Sequence, residues 1–306
     1  MSTVNKESKI LWAVDAFSEN PTAQFNALKA AMKLYGKSNP VVEPVSVLSP
    51  DQLKVPRTAF RSGSKEYRLE AEKILEKWTK KLKIKNTVPP VLLLQDEFSL
   101  RTSVKTLIDY AKQTHADVIC TTTRANKGLK HFILGSFTES LLTYSTVPVF
   151  VFNPKTQVPA NYSKIFFPTD FGTASRTALD KLLPIAKQNK STIILFYKLE
   201  YVLPETSSTL FGAPIYANYV EQDIQERKDT ANKWMQSIKQ QGVKAELLFN
   251  EKPDYVVTAI LKAFKKSKAS LIAMASHSGA IETALLGSVT RQVVRSATCP
   301  VWVIHS

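Results

Sequence analysis

Gly135-Ser136-Phe137-Thr138, followed by Leu141-Leu142 and Val147-Pro148-Val149-Phe150-Val151, returns later as Gly287-Ser288-Val289-Thr290, Val293-Val294 and Cys299-Pro300-Val301-Trp302-Val303. Both Gly-Ser pairs and both prolines stand 152 positions apart. Further out, Ile10-Leu11-Trp12-Ala13-Val14-Asp15-Ala16-Phe17 echoes Ile165-Phe166-Phe167-Pro168-Thr169-Asp170-Phe171 at an offset of 155, so the copies differ by small insertions and deletions. An echo of long, nearly fixed period marks a duplicated domain. The expected division is residues 1–153 and 164–306, with a linker at 154–163 that carries Pro154 and Pro159. So short a linker implies that the halves pack together.

The chain has 306 residues, which suits two domains of common size. Its 44% hydrophobic and 22% charged content is ordinary for a globular protein, so each half can bury a core. Cys120 and Cys299 lie in apolar contexts and offer no metal spacing or disulfide framework, which points to buried thiols in a reducing compartment. No signal-peptide pattern precedes the first strand-like run, and no apolar stretch is long enough to span a bilayer. A cytosolic protein without membrane contact is expected. Net charge is +15, with lysines gathered in Lys77–Lys85 and Lys262–Lys268 at the ends of amphipathic segments, where they complement helix dipoles. Charge alone would give non-specific affinity for polyanions.

Apolar runs and longer amphipathic runs alternate in each half. The first reads as strands at Lys9–Val14, Pro44–Leu48, Val91–Leu94, Asp117–Thr122 and Val147–Phe152. Its helices are Pro21–Tyr35, ended by Gly36, then Ser64–Leu82, Thr102–Thr114 and Ser136–Thr143. The second reads as strands at Lys164–Thr169, Thr192–Leu199, Ala245–Asn250, Ser270–Ala275 and Pro300–Ile304, with helices at Ser175–Gln188, Tyr219–Gln241, Tyr255–Lys266 and Ser288–Ser296. Strands that are apolar without strict alternation fit a sheet covered on both faces. The fold class is therefore α/β: two tandem doubly wound domains, each a five-stranded, mainly parallel sheet with helices on both faces.

In such a sheet ligands bind beyond the C-terminal strand ends. Asp15 and Asp170 stand there after the first strand of each copy. Each carboxylate suits a base or ribose donor, and equally suits the backbone N–H groups of its own turn. Gly135-Ser136 and Gly287-Ser288 open helices, where free N–H groups and the dipole favour phosphate. Ser136 with Glu139 also fits a Ser-x-x-Glu capping box, whereas Ser288 has Arg291 in that place. His277 between Ser276 and Ser278 does not make a hydrolytic dyad, which is a matter of spatial geometry. Residues 203–220 are longer and more apolar than a plain connector and suit either the lining of a pocket for an apolar ligand or, preferably, a cover over the domain junction. The sequence shows no paired general acid and base, metal cluster or activated nucleophile.

The strand–aspartate starts, the two Leu-Gly-Ser segments (Leu134–Ser136 and Leu286–Ser288) and the two Val-Pro-Val or Cys-Pro-Val endings resemble the universal stress protein family over nearly the whole chain, as two tandem copies. The resemblance implies a flavodoxin-like or Rossmann-like fold. It also implies an intrachain pseudo-dimer paired through the last strands, 147–152 and 300–304. Nucleotide-binding members carry Gly-x-x-Gly, nine residues, then Gly-Ser or Gly-Thr. Here the earlier glycine places hold Thr122 and Ala125 in one copy and Met274 and His277 in the other. The implied site in the first half comprises Asp15, Val47, Thr122, Ala125, Lys127, Gly135, Ser136 and Phe137. A degenerate second site comprises Pro168, Asp170, Met274, His277, Gly287, Ser288 and Val289. The loop Arg124–His131 adds Arg124, Lys127, Lys130 and His131, which suit either a solvated basic loop or countercharge to a polyphosphate; if one half binds ATP or another adenine nucleotide, with Mg²⁺ if bound, the first is the expected one. The leading expectation is a non-catalytic stress-response binding module with a regulatory protein partner and a possible homodimer. Its rivals are a nucleotide-independent module for protein, lipid or polyanion, and a slow ATPase.

Overall fold

A computed structural model describes residues 7–18, 21–123, 134–199, 213–252, 254–277 and 286–305, apart from the side chains of 37 and 213–220. The first half runs β1 (Lys9–Ala13), α1 (Thr22–Tyr35), β2 (Val41–Leu48), α2 (Pro50–Leu53), α3 (Arg57–Leu82), β3 (Val91–Leu94), α4 (Leu100–Gln113), β4 (Val118–Thr122), α5 (Ser136–Tyr144) and β5 (Val149–Phe152). The second runs β6 (Lys164–Pro168), α6 (Thr173–Asn189), β7 (Thr192–Lys198), α7 (Ala213–Gln240), β8 (Lys244–Asn250), α8 (Val256–Ser267), β9 (Leu271–Ala275), α9 (Ser288–Ser296) and β10 (Val301–Ile304).

All ten strands form one sheet in the order β3-β2-β1-β4-β5-β10-β9-β6-β7-β8. Pairing is parallel within each half and antiparallel at the join, where Trp302 lies opposite Phe150, with Val301 opposite Val151 and Val303 opposite Val149. Phe150 and Trp302 are equivalent positions of the two repeats, so an approximate two-fold axis passes between them.

Strand alternation sorts side chains onto two faces, and each face carries one core continuous across both halves. Ile10, Trp12, Phe150, Phe152, Ile165, Phe167, Trp302 and Ile304 pack beneath α1, α3, α6 and α7. Leu11, Val149, Val151, Phe166, Val301 and Val303 pack beneath α4, α5, α8 and α9. Burial of each such side chain contributes about 1.5–3 kcal/mol. Strand β8 is an edge and alternates, with Lys244, Glu246 and Leu248 exposed, which discourages further strand addition.

Several boundaries differ from the sequence reading for local reasons. Gly36 has an ordinary right-handed backbone and continues into a 3₁₀ turn, and Asn39 (φ 46°) takes the left-handed position instead. Strand β2 begins at Val41, three residues before Pro44, because the ladder to the third strand is broken near Pro89-Pro90 and resumes only at Val45 opposite Val91. A proline without an N–H is tolerated where no bond is asked of it. Helix α3 begins at Arg57 and buries Phe60 against the core, with Tyr67 stacked on that ring at 6.2 Å. Among the described residues no helix is long and apolar enough to cross a membrane. Part of the 203–220 segment, 203–212, lies outside the described residues.

Candidate functional site: the crevices at the strand ends

Within each half the winding reverses between the first and fourth strands, β1 and β4 in one copy and β6 and β9 in the other. A crevice opens beyond their carboxyl ends. Asp15 stands two residues past β1. Gln24, buried on α1, clamps its backbone: Gln24 Oε1 accepts from Asp15 N at 2.6 Å and Gln24 Nε2 donates to Asp15 O at 3.1 Å. The carboxylate uses one oxygen. Asp15 Oδ1 accepts from Phe17 N at 3.1 Å and from Gln52 Nε2 at 3.3 Å. Its Oδ2 has no partner among the described residues.

Asp170 is held differently. Its Oδ1 accepts from Gly172 N at 2.9 Å and from the Ser175 hydroxyl at 2.6 Å, which fastens it to the start of α6. A Cβ on Gly172 would come within 3.0 Å of that carboxylate. Phe171, between them, has φ of 60°, a costly setting for a bulky residue. Its ring stacks on Tyr197 and meets Trp234 edge-on, both at 5.2 Å, which holds it there.

Gly135 and Gly287 are the N-caps of α5 and α9, with nearly identical dihedrals (φ −58°, ψ 145° and 143°). Neither needs a left-handed backbone. At Gly287 the demand is close approach: Gly287 N donates to Ser276 O at 2.9 Å, and a Cβ would sit 3.4 Å from His277 Cα and Ser276 O. The capping box is not formed. Ser136 is the first helical residue, makes no capping bond and is exposed. Glu139 turns instead to the other half, with Oε1 3.1 Å from Arg291 Nε and Oε2 3.2 Å from Arg295. The Arg291 N–H is not aimed at the carboxylate, so that contact is one of charge.

A pair of hydroxyls that the sequence repeats fixes both helix openings. Thr138 Oγ1 donates to Thr122 O at 3.0 Å, and Thr290 Oγ1 to Ala275 O at 3.1 Å. These threonines, with Gln24, Gln52 and Ser175, are positioning residues that motif reading passed over. Only the threonines carried a signal, by recurring at the 152-residue offset.

The other expected site residues fall into three groups. Thr122 ends β4 and, through Thr138, joins Gly135 and Ser136 at the first crevice. The Val47, Met274 and Pro168 side chains are buried, while Phe137 and Val289 pack partly against the core, which leaves mainly their backbone for a ligand. His277 Nδ1 lies 3.1 Å from the Ser276 hydroxyl. Ala125 and Lys127, with Arg124, Lys130 and His131, lie outside the described residues. No group of three or more metal-ligating side chains occurs among the described residues. Burial pushes the Cys120 and Cys299 thiols far up, which makes them inert.

Comparison with known proteins agrees with this architecture. The model of the universal stress protein family matches residues 7–153 and again 161–305. Universal stress protein MJ0531 of Methanocaldococcus jannaschii is 28% identical over 148 residues, which is 47% of this chain and 82% of that protein. A universal stress protein of Archaeoglobus fulgidus has a similar fold, with a TM-score of 0.65 at 18% identity over 98% of this chain and 99% of that one. So does a functionally unknown protein, PA1789, of Pseudomonas aeruginosa, with a TM-score of 0.60 at 15% identity over 98% and 93%. With the family's domain matched twice and both copies joined in one sheet, this chain belongs to the universal stress protein family in its tandem form.

Proposed function

We propose that the first half holds an adenine nucleotide, ATP above all, and that the chain acts as a cytosolic binding and regulatory module in stress response rather than as a turnover enzyme. The observation that carries this reading is the Asp15 carboxylate. One of its oxygens is anchored, and the other is left for a base or ribose donor. In the second copy Asp170 is likewise anchored through Oδ1, but by Gly172 N and Ser175 at the start of its own helix rather than by a glutamine from another turn, and that crevice is read as the degenerate one.

The triphosphate would lie at the opening of α5, where Ser136 and the residues after it bring amides with no intrahelical acceptor and the positive end of the dipole. Lys127 would add countercharge from the connecting loop, and the backbone at Val47 would border the base. Magnesium would neutralise charge between phosphates when bound. Among the described residues no base is positioned for water attack, so retention without rapid hydrolysis is expected.

Thermal shift with ATP, ADP and AMP, with and without Mg²⁺, tests this on the wild type and on Gly135→Lys and Gly287→Lys. A ligand at 100 times its Kd stabilises the folded state by about 2.7 kcal/mol. The expected shift is lost in Gly135→Lys and kept in Gly287→Lys, with circular dichroism confirming that both fold. No shift at millimolar nucleotide would sink the reading. It would favour the nucleotide-independent module suggested by the missing glycines.

A further inference from the structure

We infer that Gln52 reads the base in the first-half crevice: its carboxamide and the Asp15 carboxylate together present a hydrogen-bond donor beside an acceptor, the complement of the amino edge of adenine. The inference rests on the nucleotide reading above and assigns a specificity-determining residue to it.

Helix α2 is a single turn, yet it is fixed from several sides. Ser49, buried and extended, caps it by accepting from Gln52 N at 3.2 Å. Pro50 presets the first helical φ. Val55 N closes the turn onto Pro50 O at 3.1 Å. This anchors the Gln52 backbone beside the end of β1. Its side chain then crosses to Asp15, Nε2 to Oδ1, at 3.3 Å. The reverse orientation of the amide would set its carbonyl oxygen against a carboxylate, so the N–H faces Asp15 on electrostatic grounds.

Gln24 and Phe17 complete the arrangement by holding the Asp15 backbone and the same Oδ1. Asp15 Oδ2 and the second Gln52 N–H have no partner among the described residues, and Gln52 is only partly buried. The pair therefore offers an ionised acceptor and a neutral donor. Adenine presents an exocyclic amino donor next to a ring-nitrogen acceptor and matches this order. Hypoxanthine presents a carbonyl acceptor next to a ring N–H donor, which reverses it. A site whose polar groups are left unpaired by the wrong ligand discriminates strongly against it.

The test is calorimetric titration of ATP and inosine triphosphate, which share ribose and phosphates, into the wild type and Gln52→Ala. The wild type should favour ATP by about tenfold, the value of one well-placed hydrogen bond. In Gln52→Ala that ratio should fall severalfold, chiefly through weaker ATP binding, with the remaining preference set by the Asp15 carboxylate. A urea midpoint for the variant establishes that it is folded. An unchanged ratio in Gln52→Ala overturns the inference, as does equal tightening of both ligands, which would make Gln52 an obstruction. Equal binding of both ligands by the wild type overturns it and leaves the nucleotide site standing. No binding of either overturns the site and the inference together.

Discussion

Glu139 and Arg291 hold the same place in the two repeats, and their side chains meet across the approximate two-fold axis, Oε1 to Nε 3.1 Å. Arg295, one turn further along α9, takes the other carboxylate oxygen at 3.2 Å. Identical copies would set like charges against each other here, so the pairing distinguishes the first half from the second.

Replacing Glu139 with Ala should therefore destabilise the fused pair, but modestly. All three groups are partly exposed, between 28% and 44%, and such pairs are worth about 0.2–1 kcal/mol each. Urea unfolding should show a loss of about 1 kcal/mol at low salt that shrinks in 0.5 M salt. Glu139→Arg should cost more, and adding Arg291→Glu should recover part of the loss. A double variant as unstable as the single one would remove the charge explanation.

His305 supplies a pH prediction. It follows β10, is buried, and its Nε2 lies 2.9 Å from Leu142 O in the first half. Burial first, then the nearby Lys181 and His277 charges, bring it down to about 4 from 6.5, against the opposing pull of the Leu142 and Val147 backbone. The folded state thus prefers the neutral ring. Stability is complete above pH 6.5 and is lost as pH falls toward 4, by roughly 2–3 kcal/mol between pH 7.5 and 4.5. His305→Asn places there the residue that its repeat counterpart, Asn153, already uses to bond Ala297 O across the join. Unfolding free energies of that variant should fall less steeply over the same interval. An identical slope would clear His305 of the effect.

Helices α3, α6 and α8 end on Lys83, Lys190 and Lys268, each left-handed with φ of 51°, 54° and 57°. Glycine is the usual residue there, since a Cβ costs about 1–2 kcal/mol in that region. Lys190→Gly should raise stability by about 0.5 kcal/mol after its own chain entropy and the lost cation are counted. Lys190→Ala, which keeps the Cβ, should gain nothing. Denaturation midpoints of the two variants decide the matter.

Both thiols should be silent in the native protein. Cys120 and Cys299 are buried, and their pKa values are raised by burial. A thiol-reactive dye should modify neither at pH 8 until denaturant is added, after which two equivalents should react. Rapid native labelling would show that the core opens locally.

The duplication and the doubly wound sheet were legible because both rest on repeated apolar strands and on a Gly-Ser opening that recurs at one spacing. Residues whose partners are distant in sequence were not. Glu43 reads as an interruption in a strand, yet it is buried with Lys9 at 2.8 Å and the Tyr110 hydroxyl at 3.0 Å. Burial beside that carboxylate pushes Tyr110 up to about 12. The first two turns of α3 were hidden by Pro56 and Gly63; they are held by the burial of Phe60 and by Arg57 and Arg61, which meet Asp96. Ser136 and Glu139 match a local capping pattern, but a stronger claim on Glu139 comes from arginines more than 150 residues away. At the candidate site, the placement of Asp15 beyond the end of β1 was readable from the sequence. Gln52 was not, because a lone glutamine in a turn carries no signal until the fold brings it to Asp15.

The antiparallel seam between β5 and β10 has one more consequence. Because every strand of one half points opposite to every strand of the other, the two crevices open on opposite rims of the sheet. A body docked over the Asp15 rim leaves the Asp170 rim accessible. Occupancy of one rim therefore need not obstruct the other, and the two ends of the sheet are presented to the surroundings in opposite directions.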